Sequence, residues 1–179
     1  LTLNADGSLN SFVKSGLTTS QGTATMADYG GDSIIGWGRW ANGTVTIDNV
    51  ATALGANQGL HHFWGVPTPT MPTTGTATDT LLGSTKPTEI TGAWAPGTFN
   101  SASLSVNFAT GVVSSSLNLY INPGPNNNYV VSGTGSIGGN GFSITGMSGT
   151  GSGCASGCSG EVSGRFFGTT AERAGLTYK

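Results

Sequence analysis

Two neighbouring segments of this chain alternate strictly between apolar and polar side chains, and no other feature restricts the fold as strongly. The segments are residues 103–108 and 115–121. A period of two places every second side chain on one face of a β-strand, whereas a helix needs a period of about 3.6. Gly111 lies between the segments and suits a short hairpin connection. The sequence predicts a hairpin whose buried face carries Leu104, Val106, Phe108, Leu117, Leu119 and Ile121.

Composition supports a sheet protein and excludes several other classes. Gly, Thr, Ser and Asn make up 90 of the 179 residues, and only 8% of residues are charged. A helical protein carries far more Ala, Leu, Glu and Lys. A net charge of −2 provides no basic surface, so no nucleic-acid partner is expected. Hydrophobic residues at 36% are too many for a chain kept disordered by its charge.

Turn signals divide the second part of the chain into strands. The segment 138–141 ends in Asn140-Gly141, the strongest hairpin signal present. From residue 60 onward we predict eight strands, and eight strands suit an up-and-down barrel that is filled by side chains and has no exposed edges. The predicted fold is all-β: a soluble eight-stranded antiparallel up-and-down β-barrel over residues 60–179, after a small N-terminal β extension over residues 1–59. A two-sheet sandwich is the alternative.

No membrane-spanning segment is expected. The sequence has no window of 18 apolar residues, which argues against a transmembrane helix. A membrane barrel needs apolar side chains outside and a polar interior, whereas the predicted outward face here carries Ser, Thr and Asn. The chain begins at Leu1 without Met or a basic-then-apolar leader. We therefore expect a mature form or an excised piece of a longer protein.

The two cysteines, Cys154 and Cys158, lie among Gly and Ser. A disulfide closing a small loop is the favoured interpretation, and it would contribute about 2 kcal/mol. A metal site needs further ligands, and both histidines lie far away in sequence. A redox pair is disfavoured because the spacing is not C-x-x-C. Low charge together with a predicted disulfide indicates export to the periplasm, the cell surface or the medium.

The C-terminal end of the chain carries a resemblance to a known family. Residues 164–178 read GRFFGTTAERAGLTY. They resemble the closing motif G-x-F-[FY]-G-x-x-A-x-E-x-G-G of the barrel domains of transferrin-binding protein B and related surface lipoproteins. Glu172 stands one residue early, and Ala174-Gly175 replaces the paired glycines. Two further segments, 75–78 and 103–108, are similar to strands of those barrels.

A closer resemblance is to the C-terminal barrel of long FecR-type proteins, and it involves residues 36–40, 61–69 and 82–88. It implies a Gram-negative exported or cell-surface protein. The implied function is a non-enzymatic binding or recognition module linked to iron acquisition or FecR-type signalling. Its partner would be another protein, either an outer-membrane receptor or a translocator. The alternatives are a secreted haem-binding protein and a structural or export-targeting barrel without a ligand.

Catalytic residues, a metal site and a cofactor are not predicted. The eight carboxylates are scattered, and the chain has no G-x-S-x-G, H-E-x-x-H or P-loop motif. A Ser/His/Asp triad is a spatial arrangement that sequence does not exclude. A hydrolase is nevertheless the least favoured class.

Four residues are candidate ligand contacts. His61 and His62 are adjacent and would face opposite ways on a strand, so we expect one packed and one exposed ring. Small haem-scavenging proteins related to the resembled barrel family coordinate haem through His, so the resemblance implies haem ligation as the alternative role of His61 and His62. Trp37 and Arg39 share a strand face, and Trp40 lies on the other. Packing is the simpler role for Trp37 and Arg39, whereas a contact patch for protein or glycan is the functional one. Recognition loops are expected at residues 83–97, 122–128 and 148–160.

Overall fold

The structure is a computed structural model that describes residues 1–121 and 127–179. These residues form fifteen β-strands and one short 3₁₀ turn, Ser152–Cys154. The strands lie in three antiparallel sheets of five, three and seven strands. The predicted all-β fold is therefore confirmed. Of the loop predicted at residues 122–128, residues 122–126 lie outside the described part of the chain.

The N-terminal part of the chain supplies the two smaller sheets. Its strands are β1 (Thr2–Leu3), β2 (Leu9–Lys14), β3 (Leu17–Ser20), β4 (Thr25–Gly31), β5 (Ile35–Ala41), β6 (Gly43–Ile47), β7 (Val50–Leu54) and β8 (Leu60–Gly65). The five-stranded sheet has the order β1-β2-β3-β6-β7, and the three-stranded sheet has the order β4-β5-β8. Residues 41–59, which show little pattern in the sequence, include the β6–β7 hairpin.

The seven-stranded sheet contains the remaining strands in simple chain order, each antiparallel to the next. Its strands are β9 (Thr76–Thr80), β10 (Thr98–Asn107), β11 (Val112–Tyr120), β12 (Asn128–Gly138), β13 (Gly141–Thr150), β14 (Cys158–Phe167) and β15 (Arg173–Tyr178). This up-and-down sheet curves into a nearly closed barrel around an apolar core. We call it the barrel below.

The barrel core follows the alternation of its strands. Every second side chain points inward, and the buried set is Leu104, Val106, Val113, Leu117, Leu119, Phe142, Ile144, Met147, Val162 and Phe166. Phe108 and Ile121 pack against this set at the strand ends. All six side chains predicted for the buried face therefore contribute to the core. The outward positions carry mainly Ser, Thr and Asn.

The three-stranded sheet lies between the five-stranded sheet and the barrel. On one of its faces Trp40 packs with Leu9 of the five-stranded sheet, and the Trp40 indole N–H donates to the Leu9 carbonyl oxygen. On the other face the Phe63 ring meets Phe167 of the barrel edge-on, with centroids 5.7 Å apart. Strand β8 is therefore attached to the outside of the barrel.

Eight strands follow residue 59, as predicted, but the first of them pairs elsewhere. β8 forms its ladder with β5, and seven strands remain in the barrel sheet. Trp64 and His62 of β8 lie directly over Gly36 and Gly38 of β5, where a side chain on β5 would collide with them. This fit explains the pairing. A division of the chain at residues 59 and 60 stays a prediction.

Thr170 and Gly175 suit the two ends of a helical turn, but no such turn forms, because β15 begins at Arg173. Ala171 has a φ of 64°, which a right-handed helix does not permit. The described residues also contain no helix long and apolar enough to cross a membrane.

Candidate functional site

The barrel sheet ends in two outer strands, β9 and β15. Each has a ladder with one neighbour, and no ladder joins the two among the described residues. Because six antiparallel steps separate them, β9 and β15 run in the same direction. We call the gap between these two strands the seam.

A cleft of about 440 Å³ opens along the seam. Its walls are β9, residues 81–85, β15, the middle of β10 and the barrel-facing side of β5 and β8. Volumes of roughly 300–1,000 Å³ are typical of ligand sites. The cleft is therefore large enough to hold a ligand or a segment of a partner chain.

The floor of the cleft is apolar with two polar groups. Asp79 lies opposite the buried Leu104 in the β9–β10 ladder, so both side chains share the inward face. Burial raises the pKa of Asp79, and the nearby Arg173 guanidinium opposes that shift. Tyr178 also packs against the barrel core, and burial raises the pKa of its phenol.

Apolar side chains stand at the rim. Leu81 and Leu82 follow β9 directly and are 38% and 56% exposed. Arg173 lies at the start of β15, where its Nε donates to Oδ2 of Asp32 at 2.8 Å. That ion pair ties the β4–β5 connection to the barrel edge beside the cleft.

Trp37 lines the cleft from the three-stranded sheet. It is half-buried, and its indole covers the backbone of Gly30 on β4 and of Gly83 beyond β9. Trp37 therefore packs against glycine backbone on two sides while part of its surface stays open to the cleft. Trp40 lies on the opposite face of β5 in the five-stranded sheet's core.

His61 of β8 contacts the segment that follows β9 through two threonine hydroxyls. Its Nδ1 lies 2.7 Å from Oγ1 of Thr85, and its Nε2 lies 2.8 Å from Oγ1 of Thr88. Burial lowers the pKa of His61 to about 4, and the charge of Arg39 acts in the same direction. The ring is therefore neutral at pH 7. Both of its nitrogens are engaged within the protein.

His62 lies on the other face of β8. Its ring is 4.4 Å from that of Trp40 and 5.7 Å from that of Trp64, measured between centroids. Nδ1 donates to the carbonyl oxygen of Leu60 at 3.3 Å, whereas the buried Nε2 has no hydrogen-bond partner among the described residues. Burial lowers the pKa of His62 to about 4. Both histidines are thus packed, although one exposed ring was expected.

Arg39 is buried, with 4% of its surface exposed. Its Nε donates to Oδ2 of Asp28 at 2.5 Å, and its Nη1 donates to the Gln58 carbonyl oxygen at 3.3 Å. The same Asp28 oxygen accepts the backbone N–H of Lys86. Arg39 therefore links three segments and presents almost no surface to a partner.

Of the remaining predicted sites, the loop at residues 83–97 reaches the cleft through residues 83–85, whereas the two cysteines lie away from it. Cys154 and Cys158 form a disulfide between β13 and β14. Within residues 1–121 and 127–179 no three His, Cys, Asp or Glu side chains converge as a metal site. His61 and His62, on opposite faces of β8, do not point to a common ion.

Sequence reasoning missed the residues that build most of the cleft, namely Asp79, Leu81, Leu82, Arg173 and Tyr178. Asp79 occupies an inward position of a strand whose other side chains are Thr and Ala. A carboxylate at an apolar position of an alternating strand is a recognisable signal. Its place at an open seam depends on which strands pair, which the sequence does not state.

Comparisons with known proteins give little beyond the fold. No protein-family model matches the chain. No curated protein matches it either. Among solved structures the chain is similar to intact Ap-TbpB with its N and C lobes, at 17% identity and a TM-score of 0.49, over 94% of this chain and 34% of that one. The chain thus spans about a third of that structure, and the likeness concerns the fold alone.

Proposed function

We propose that this protein is a non-enzymatic recognition module whose binding surface is the seam cleft and whose partner is another protein. The observation that supports this most is an open cleft at the one place where the described barrel strands do not pair. Its floor is apolar and its rim carries exposed leucines. Such a surface on a rigid scaffold is typical of a binding site.

The polar groups of the cleft suit recognition better than catalysis. Burial lowers the pKa of His61 to about 4, so its ring is a weak base at pH 7. Arg173 is paired with Asp32. Asp79 remains as an acid on an apolar floor, where it suits a hydrogen-bond donor from a partner.

The proposed setting is outside the cytoplasm. A disulfide persists in oxidising compartments such as the periplasm, the cell surface and the medium. The narrower hypotheses of a Gram-negative source, iron acquisition and FecR-type signalling rest on the sequence resemblance and stay predictions. An outer-membrane receptor or translocator as partner stays a prediction for the same reason.

Haem binding has less support than protein binding. Haem ligation through His61 would require both threonine hydrogen bonds to break. Ligation through His62 would require its ring to leave the space between two tryptophans. Mixing the protein with haem and recording the Soret band tests this alternative directly. An export-targeting barrel is tested by deleting residues 60–179 and measuring secretion.

A site-specific photo-crosslinker tests the proposed function. We would place it at Leu82 on the cleft rim and, as a matched control, at Val112, which is 41% exposed on the β10–β11 hairpin. Both proteins would be irradiated with the cell-envelope fraction of the source organism. We expect one discrete protein adduct from position 82, weakened when Leu81 is replaced by Glu, and none from position 112. Equal labelling from both positions would contradict the proposal.

A further inference from the structure

The directions of the two seam strands define what fits between them. β9 and β15 are parallel to each other, and each is antiparallel to its own neighbour. A single strand inserted in the seam in the opposite direction would be antiparallel to both. It would complete an eight-stranded barrel in which every neighbouring pair is antiparallel.

On β9 the unpaired backbone groups belong to alternate residues. The N–H of Phe108 donates to the carbonyl oxygen of Gly75, and these two residues lie directly opposite each other. In an antiparallel ladder hydrogen-bonded pairs alternate with non-bonded pairs. Ala77 and Asp79 therefore bond to β10. The N–H and C=O groups of Thr76, Thr78 and Thr80 point into the seam.

On β15 the same alternation gives the matching set. Lys179 and Glu161 exchange both backbone hydrogen bonds at 2.8 and 3.0 Å. Counting back along the register, Thr177, Gly175 and Arg173 bond to β14. The N–H and C=O groups of Ala174, Leu176 and Tyr178 therefore point into the seam. No bond to these groups or to those of the three threonines is present among the described residues outside the ladders.

The two edges suit one inserted strand of about five residues, the length of β9. Alternate residues of such a strand would face different edges. Residues with outward side chains would bond through their backbone N–H and C=O groups to the outward-facing threonines of β9. Residues with inward side chains would bond through theirs to Leu176 and its neighbours on β15. Those inward side chains would meet the apolar floor and Asp79.

The need for two hydrogen-bonding rows decides the kind of occupant. An edge strand of a folded sheet has only one free row, because the other row is used in its own sheet. A second folded copy of this chain would therefore satisfy one edge of the seam and leave the other open. Only an extended segment that is not part of a sheet offers both rows.

We infer that the seam binds an extended peptide segment of a partner protein as an eighth barrel strand, antiparallel to both β9 and β15. Its inward side chains are apolar, with a hydrogen-bond donor opposite Asp79. This inference rests on the proposed function and adds the form of the ligand. Recognition by strand addition takes affinity from the backbone and specificity from alternate side chains.

The test uses the whole protein and a displayed library of short random peptides. Selected peptides are synthesised, and their affinities are measured for the native protein, Thr78→Pro and Thr78→Ala. Proline removes a seam-facing N–H but spares the β9–β10 ladder, as tolerated on edge strands. Alanine removes only the outward side chain. We expect Thr78→Pro to weaken binding at least about tenfold and Thr78→Ala to leave it within about twofold.

Methylated peptides keep the test decisive if Thr78→Pro does not fold. One peptide is N-methylated at its odd amides and another at its even amides. A strand inserted between two edges uses both sets, so both methylated peptides should lose binding. Loss in only one of the two would indicate addition to a single edge and would overturn the inference. Protection of the Thr78 and Leu176 amides from hydrogen exchange in the free protein would overturn it as well.

The outcomes separate this inference from the proposed function. A partner crosslinked at Leu82 whose binding ignores Thr78→Pro would leave the function standing and reject strand insertion. If no peptide is selected and no partner is crosslinked, both strand insertion and the proposed function are rejected. Self-association that is lost in Thr78→Pro would make a second copy the occupant and would reject the partner segment.

Discussion

The barrel and the three-stranded sheet beside it are both antiparallel, yet different interactions hold them together. In the barrel, aliphatic and aromatic side chains alternate with polar ones and fill one apolar core. In the three-stranded sheet, large rings lie over glycines, and a buried ion pair joins Arg39 to Asp28. The barrel depends on an alternation of apolar and polar side chains that many residues satisfy. The three-stranded sheet depends on particular residues at particular positions.

This difference bears on how each region tolerates substitution. A core filled by aliphatic side chains accepts apolar replacements of similar volume at small cost. A ring packed on glycine accepts no added atom, and a buried charge that loses its partner is strongly destabilising. We therefore expect the largest effects of single polar and glycine substitutions in the three-stranded sheet, which supplies one wall of the cleft.

Arg39→Leu should have the largest effect. The substitution removes the guanidinium that pairs with Asp28, whose side chain is only 16% exposed. We expect a loss of about 3 kcal/mol in the free energy of unfolding, measured by urea denaturation, because a buried charge is left without its partner. The double variant Arg39→Leu/Asp28→Leu should recover much of that loss. Leu117→Val in the barrel core is the comparison and should cost about 1 kcal/mol.

Gly36→Ala tests the packing of a ring on backbone. An added Cβ would lie within 2.3 Å of the Trp64 ring. The ring is held against the five-stranded sheet's core, so we expect a loss of about 1–3 kcal/mol. Gly138→Ala in the barrel is the matched control, because nothing lies within 4 Å of its Cβ position. Equal thermal stability of the two variants would contradict the proposed role of Gly36.

The same contrast explains what could be predicted from the sequence. The barrel strands were predictable because alternation is local and a period of two has one structural meaning. Gly36 and Gly38 break that pattern in β5, so their strand looked irregular. Their purpose is visible only beside β8, which is distant in sequence. The seam was missed for the same reason, since pairing between strands is a tertiary property.

Acid should lower the stability of the three-stranded sheet. His61 and His62 have folded pKa values of about 4, against 6.5 when unfolded. Between these values the unfolded chain binds more protons, so stability falls as the pH drops from about 6.5 towards 4. We expect each histidine to contribute about 1–2 kcal/mol to this loss.

The measurement is the urea midpoint of the native protein and of His62→Gln at pH 7.5 and pH 5. The variant should lose about half of the histidine-dependent change, and the carboxylates common to both proteins cancel in the comparison. Identical pH dependence of the two proteins would mean that His62 titrates in the folded state as it does in the unfolded chain.

The smallest effect is expected at Asp79, a carboxylate on the mainly apolar inner face of the barrel. Burial raises its pKa above 3.8, so its contribution to stability is greatest below that pH and is lost as the carboxylate ionises. Asp79→Asn should therefore raise the unfolding midpoint slightly at pH 7 and leave it unchanged at pH 3. Partial exposure limits the gain to a few tenths of a kcal/mol.

Asp48→Asn, at an exposed turn, is the control. A lower midpoint for Asp79→Asn at pH 7 would mean that the attraction of Arg173 outweighs the cost of burial. The Asp79 carboxylate would then stabilise the seam through Arg173 instead of remaining available to accept a hydrogen bond from a partner.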